Sequence, residues 1–106
     1  MKKKSLTTYD DNTFWVDKDD YGLVKSIGDR FGWHTDKWGY VVSNYKKHGK
    51  TNTIKLHRLI MRLQGYKIKG LHVDHRDRDK YNNSKDNLRV VGVRMNNRNR
   101  SIVVNY

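Results

Sequence analysis

Asp74 and His75 stand side by side in the stretch VDHRDRDKYNNSKDNLRVVGVRMNNRNR, residues 73–100, which is polar except for the island LRVV. Carboxylate and carboxamide oxygens are hard ligands suited to Mg²⁺ or Mn²⁺, ions that keep several waters and accept phosphate oxygens as further ligands. A neutral imidazole beside such an ion can take a proton from water, because its pKa of about 6.5 suits general-base work near neutrality. The stretch supplies these groups in Asp74, His75 and, further along, Asn96. On a cationic surface, metal and base together are what hydrolysis of a phosphodiester requires.

The other reading of so polar a stretch is a disordered basic tail. Composition argues against it: 11% of the chain is aromatic, with three Trp and seven Tyr, whereas disordered segments are poor in aromatics. At 106 residues the chain has the size of one domain, and its 35% hydrophobic content allows only a modest core. There is no cysteine, which excludes disulfides and thiolate zinc, so no structural zinc is expected and the setting reads as reducing and cytoplasmic. No run approaches the roughly 20 apolar residues of a membrane span, and MKKK lacks the apolar stretch of a secretory leader. No membrane partner is expected.

The net charge of +12 is unevenly spread. Residues 1–54 hold ten basic and seven acidic groups, while residues 55–106 hold thirteen and four. General solubility would not gather charge in the half that carries the polar stretch. A polyanionic partner would, and nucleic acid is the expected one.

These groups need elements to position them. Residues 1–12 show no apolar periodicity and read as a flexible basic arm. TFWV reads as a strand. DKDDYGLVKSI, with Leu23, Val24 and Ile27 at helical spacing behind leading Asp residues, reads as a short helix. GWHTDKWGYVVSNYKKHGKTNTIKL reads as a β-meander, turning at Thr35-Asp36-Lys37 and Lys47-His48-Gly49-Lys50. Leu56, Leu59, Ile60 and Leu63 predict an amphipathic helix ended by Gly65. A strand over 71–74, a polar loop over 76–86, the LRVV strand and a closing helix over 93–100 with Gly92 near its N-cap complete the chain. Val93, Asn96, Asn97 and Arg100 would share one face of that helix. Neighbours in an ideal strand point to opposite sides, so Asp74 and His75 can serve one site only where the strand ends or bulges.

VDHRDRDKYNNSKDNL followed by NNRN resembles the HNH, or ββα-metal, endonuclease family, in the variant whose last His is replaced by Asn. KLHRLIM resembles segments found upstream of that motif in phage and intron-encoded members, and WVDKDDYGLV through GYVVS resembles the small β-rich module that often precedes it. The resemblance implies an α+β fold in which a β-rich part, residues 13–55, precedes a ββα-metal core at 56–100. It implies His75 as general base, and Asp74 and Asn96 holding one divalent ion, Mg²⁺ or Mn²⁺. Asn87 would brace the loop and help fix the imidazole, and Asn83 would pin the same loop. The substrate would be double-stranded DNA, the product a nick, and the origin a phage or another mobile element. Two departures stand out: Asp77-Arg78-Asp79 lacks the glycine that many members carry after the His, and Gly92 stands where a capping Ser or Thr is common.

Each residue also has a plainer reading. Asp74 and His75 taken alone are a surface pair, and only the whole pattern favours catalysis. His57, between Leu56 and Leu59, suits packing or support of the loop. His72 is either a group behind the ligands or an ordinary strand residue. Asn99, Arg100, Arg76 and Arg94 are candidate nucleic-acid contacts, Asn99 and Arg100 equally readable as solvated helix-end residues. Tyr40 and Tyr45 fit either a DNA groove or the core. The predicted function is a metal-dependent DNA endonuclease, monomeric or homodimeric. A catalytically inactive basic DNA-binding module, or an RNA-binding protein of ribosomal type, is the alternative.

Overall fold

The computed structural model describes residues 2–92. It is a mixed α+β structure, rich in strands. In chain order the elements are β1 (Lys3–Thr7), β2 (Thr13–Asp17), α1 (Lys18–Phe31), β3 (His34–Thr35), β4 (Val41–Lys47), β5 (Lys50–Lys55), α2 (Leu56–Leu63), β6 (Leu71–His75), β7 (Asn82–Asn83) and β8 (Leu88–Gly92), with a 3-10 turn at Lys85–Asn87. They form three small sheets, β1-β2-β7, β3-β4-β5 and β6-β8. The closing helix expected over 93–100 lies outside the described residues, and Gly92 is the last residue of β8.

Residues 3–7 are not a flexible arm. They pair antiparallel with β2, from Lys3 opposite Asp17 to Thr7 opposite Thr13. The strand escapes a periodicity reading because it is an edge: four of its five residues are exposed, and Leu6 alone packs on the core. The edge is lysine-rich, which discourages pairing with other chains.

Helix α1 runs further than its apolar spacing suggests, to Phe31. Asp19 and Asp20 in its first turn and Arg30 in its last oppose the helix dipole favourably. Gly28 belongs to this helix for a packing reason: a Cβ there would stand 2.8 Å from the Trp33 ring. The bare backbone lets the indole lie against the helix, where its Nε1 donates to Val24 O at 2.8 Å. Trp33 also meets Phe14 edge-on, with ring centroids 6.2 Å apart.

The meander forms as its sequence predicts. Its tip, His48 and Gly49, has positive φ at both residues, 53° and 75°, the geometry whose twist matches a tight hairpin. Helix α2 begins where β5 ends and ends before Gly65 (φ 93°). Its buried face is Leu56, His57, Ile60 and Met61, whereas Leu63 is exposed. The helix stops after two turns, before neighbouring elements can cover Leu63.

That face lies at the centre of the protein, touching β4, β5, β6, β7 and β8. One hydrophobic cluster joins Phe14, Val16, Val24 and Val41 from the N-terminal half to Leu56, Ile60, Val73, Leu88 and Val90 from the C-terminal half. Polar links join the same halves. β7 adds parallel to β2, Trp15 N–H donates to Tyr81 O at 2.8 Å, and Lys85 N–H donates to Asp17 Oδ2 at 2.8 Å. The polar loop is thus held by strands almost seventy residues earlier.

Deleting residues 2–7 is expected to uncover Leu6 and the edge of β2, lowering stability by about 2 kcal/mol. Thermal unfolding should then shift down by at least roughly 5 °C; an unchanged midpoint would show β1 to be dispensable.

Candidate active site

Strands β6 and β8 pair with Asp74 opposite Arg89 and His75 opposite Leu88, and the segment 76–87 connects them. The connection is organised by Asn87, which is 7% exposed. Its Oδ1 accepts from Asp77 N–H at 3.1 Å, and its Nδ2 donates to Asp77 Oδ1 at 2.9 Å and to Asn82 O at 2.8 Å. Its backbone is bound as well: Arg76 N–H donates to Asn87 O at 2.7 Å, and Asn87 N–H to Ser84 O at 3.0 Å. Asp77 returns bonds across the loop, accepting from Asp79 N–H and Asn82 Nδ2. Burial works to raise its pKa, but the donors from Asn82, Asp79 and Asn87 outweigh it and hold the carboxyl below the ordinary range.

The missing glycine has a visible consequence. Arg78 occupies the left-handed region at φ 63°, where a side chain costs about 1–2 kcal/mol. The turn forms nonetheless, with Arg78 N–H donating to His75 O at 3.0 Å. The Asn87 and Asp77 network over-determines it.

His75, the last residue of β6, is 4% exposed. Its Nε2 lies 2.9 Å from Asn83 Oδ1, while Asn83 Nδ2 donates to Lys80 O at 3.3 Å. The second bond turns the amide oxygen towards the ring, so Nε2 is the donor and the lone pair of the neutral imidazole rests on Nδ1. The expected imidazole contact from Asn87 is therefore made by Asn83, and Asn87 braces the loop without touching the ring. Asn83 can reach the ring because it is itself placed by the β2–β7 pairing.

His57 and Tyr40 complete the surroundings of the ring. Tyr40 stacks on His57 at 4.8 Å between centroids and lies 6.0 Å from His75, and the two imidazoles are 5.2 Å apart. Burial above all, then the neighbouring His75, Arg58 and Lys55, push the His57 pKa down to about 3. His57 is thus a neutral packing group. Lys80 Nζ sits 4.7 Å from the Tyr40 centroid and donates to Trp38 O at 2.6 Å, which ties the β3–β4 turn to the loop.

Asp74 points the other way. β6 keeps regular register through Asp74 and His75 without a bulge, so their side chains take opposite faces: Val73 and His75 are buried while Asp74 is half-exposed. Asp74 Oδ2 accepts both Arg89 Nε at 3.0 Å and Arg89 Nη2 at 2.8 Å. Among the described residues there is no cluster of three His, Cys, Asp or Glu side chains placed to hold a metal. One solvent-facing carboxylate does fit an ion that takes one or two protein oxygens and completes its shell with water and phosphate. Asn96, Asn99, Arg100 and Arg94 lie outside the described residues. Arg76 is exposed, next to His75.

Three contributors were not placed at this site by the sequence: Arg89 and Lys80 gave no signal, and Tyr40 read only as a groove or core residue. Arg89 reaches Asp74 only through the strand register. Tyr40 and Lys80 reach the histidines only because the meander folds back on α2.

Residues 55–98 match the family model described as HNH endonuclease, which supports assigning this segment to that family. A curated relative, the H-N-H endonuclease F-TflI of Escherichia phage T5, is 39% identical over 80 residues, covering 65% of this chain and 41% of the relative. The chain thus spans about two fifths of that relative's length. No solved structure matches the chain.

Two expected outcomes follow from the loop and one from the stack. Asn87→Ala strands Asp77 N–H and Asn82 O and should cost about 2–4 kcal/mol in denaturant unfolding, whereas Arg78→Gly relieves the positive φ and should stabilise by about 0.5–1 kcal/mol. His57 is charged in the unfolded chain below pH 6.5 but stays neutral in the folded one down to about 3. The unfolded state therefore binds the extra proton, and stability present above pH 6.5 is lost as pH falls, by roughly 2 kcal/mol at pH 5. Urea midpoints at pH 7 and pH 5 should differ accordingly, and His57→Phe should remove most of the difference.

Proposed function

We propose that the protein is a divalent-metal-dependent DNA endonuclease that nicks one strand of a duplex. The observation that carries this reading is the His75–Asn83 hydrogen bond, made within a loop that belongs to the HNH segment. It fixes the tautomer in which Nδ1 can accept a proton from water. Asn87 and Asp77 keep the loop closed around that geometry, and Asn83 holds the ring in place as it becomes cationic.

The Asp74 and His75 side chains leave β6 on opposite faces, so the reaction requires the end of the strand to turn them towards one site. There Asp74, together with Asn96, would hold the ion, Mg²⁺ or Mn²⁺, which when bound supplies positive charge at the phosphate and at the departing 3′ oxygen. Arg89 shares Oδ2 of that carboxylate, so it both neutralises Asp74 in the free protein and stands ready to meet a phosphate oxygen when the ion takes its place. Arg76, Arg94, Asn99 and Arg100 are candidate contacts to the surrounding backbone. One such site cuts one strand, so a monomer nicks and a double-strand break needs two copies or two events. Products would carry 5′-phosphate and 3′-hydroxyl ends.

A second reading has its own support. The His75 ring is 4% exposed, and the Asp74 carboxylate is already paired with Arg89. Both suit a basic DNA-binding module that does not cut.

A supercoiled-plasmid assay separates the two. With Mg²⁺ or Mn²⁺ the endonuclease relaxes the plasmid to open circle, chelator abolishes the reaction, and His75→Gln, which keeps a donor for Asn83 but has no basic nitrogen, lowers the rate by about 10²–10⁴-fold. Asp74→Asn should lose activity with the metal response. Retarded mobility without relaxation, at any metal concentration, establishes the binding module instead.

A further inference from the structure

A groove of about 1170 Å³ opens between β4, β5, α2 and the segment that leads into β6, away from the His75 ring. Lys55, Arg58, Arg62, Lys67, Lys69 and His72 line it, and no carboxylate does. Arg58 builds the wall: its Nη1 donates to Leu71 O at 2.7 Å and its Nη2 to Ile68 O at 3.0 Å, fixing the segment across the helix. Lys55, Arg62, Lys67 and Lys69 are exposed. Among the described residues the ion pairs are Lys25–Asp29, Lys85–Asp20 and Arg89–Asp74, so none of these groove cations is paired.

Unpaired like charges around one concavity repel each other, and an anion laid among them relieves that repulsion. A small anion would need donors converging on one point, whereas these cations are spread along an open channel on flexible stems. An extended chain of phosphates fits that spread. Position adds a second argument. His72, which lines the groove, lies two residues before Asp74 on the same outer face of β6, about 7 Å along the strand.

We propose that this groove carries the sugar–phosphate backbone of the DNA strand flanking the phosphate held at Asp74, an assignment that rests on the endonuclease reading of the site. The strand leaves the outer face of β6 at His72 and runs among Lys55, Arg62, Lys67 and Lys69. The contacts are to phosphate and therefore independent of sequence.

The test compares two full-length variants that lose the same charge. Arg62→Gln/Lys67→Gln/Lys69→Gln removes three of the groove's four exposed Lys and Arg side chains, leaving Lys55, and Lys2→Gln/Lys3→Gln/Lys18→Gln removes three from the β1 side, none of which lines it. Binding of a fluorescent DNA duplex is followed by anisotropy across a salt series in chelator, so that no cutting intervenes. The groove variant should bind at least about tenfold more weakly, and its plot of log K against log salt should be shallower by about 2–3, at roughly 0.9 per phosphate lost. The β1 variant should keep the slope. Equal losses in both variants, or none in the groove variant, overturn the proposal, as does groove-dependent binding of structured RNA in preference to duplex DNA. If the triple groove variant does not fold, Lys69→Glu alone must reduce the slope by about 1 for the proposal to stand. Plasmid relaxation by the unaltered protein is scored separately. Groove-dependent binding without relaxation leaves the groove in place and removes the nuclease, and relaxation with groove-independent binding does the reverse.

Discussion

The buried carboxamide of Asn87 is the constraint on which the loop depends. It is a small group with two donors and two acceptor positions, set where the backbone turns from β6 towards β8, and its oxygen and nitrogen are occupied by Asp77 and Asn82. A carboxylate at this position could not donate, and an apolar residue would leave a backbone N–H and a carbonyl without partners inside the protein. The cost of such orphaned groups exceeds the net worth of the bonds themselves. This asymmetry explains why the loop closes even though Arg78 must adopt a conformation better suited to glycine.

The loop is also held from outside. β7 pairs with β2, and Asp17 at the start of α1 accepts from Lys85, so the N-terminal strands act as a clamp on the segment carrying His75 and Asn83. A chain this small, without disulfides, gains rigidity by sharing one core between its halves. Placing α2 at the centre has a consequence for chemistry. Its buried His57 meets Tyr40 and His75 and stays neutral because charging it would require burying a cation beside other cations.

Electrostatics divide the molecule into two working faces. Inside, the two imidazoles lie in a stack with little access to water. Outside, Asp74 and Arg89 face solvent across a strand pair, where an exposed ion pair contributes little to stability and is readily exchanged for other partners. The positive excess of the second half of the chain, evident from composition, becomes in three dimensions a groove whose Lys and Arg side chains have no carboxylate partner among the described residues. Composition could give the sign of the field but not its path.

Local pattern alone determined much of this protein. The turn residues of the meander, the apolar spacing that opens α2 and the apolar patterns of LHVD at 71–74 and LRVV at 88–91 each express a preference satisfied within a few residues, so they are legible without a fold. The group of residues in the polar stretch was legible too, as types and spacing. Tertiary structure decided the remainder. β1 exists because β2 offers a free edge; the imidazole goes to Asn83 because β7 joins β2; Asp74 meets Arg89 because of register; and Arg62, Lys67 and Lys69 share a channel because Arg58 holds the crossing segment over α2. Each of these is a contact between residues whose neighbours in the sequence carry no record of it. Its free energy is gained only when distant segments have already been brought together by burial of the common core.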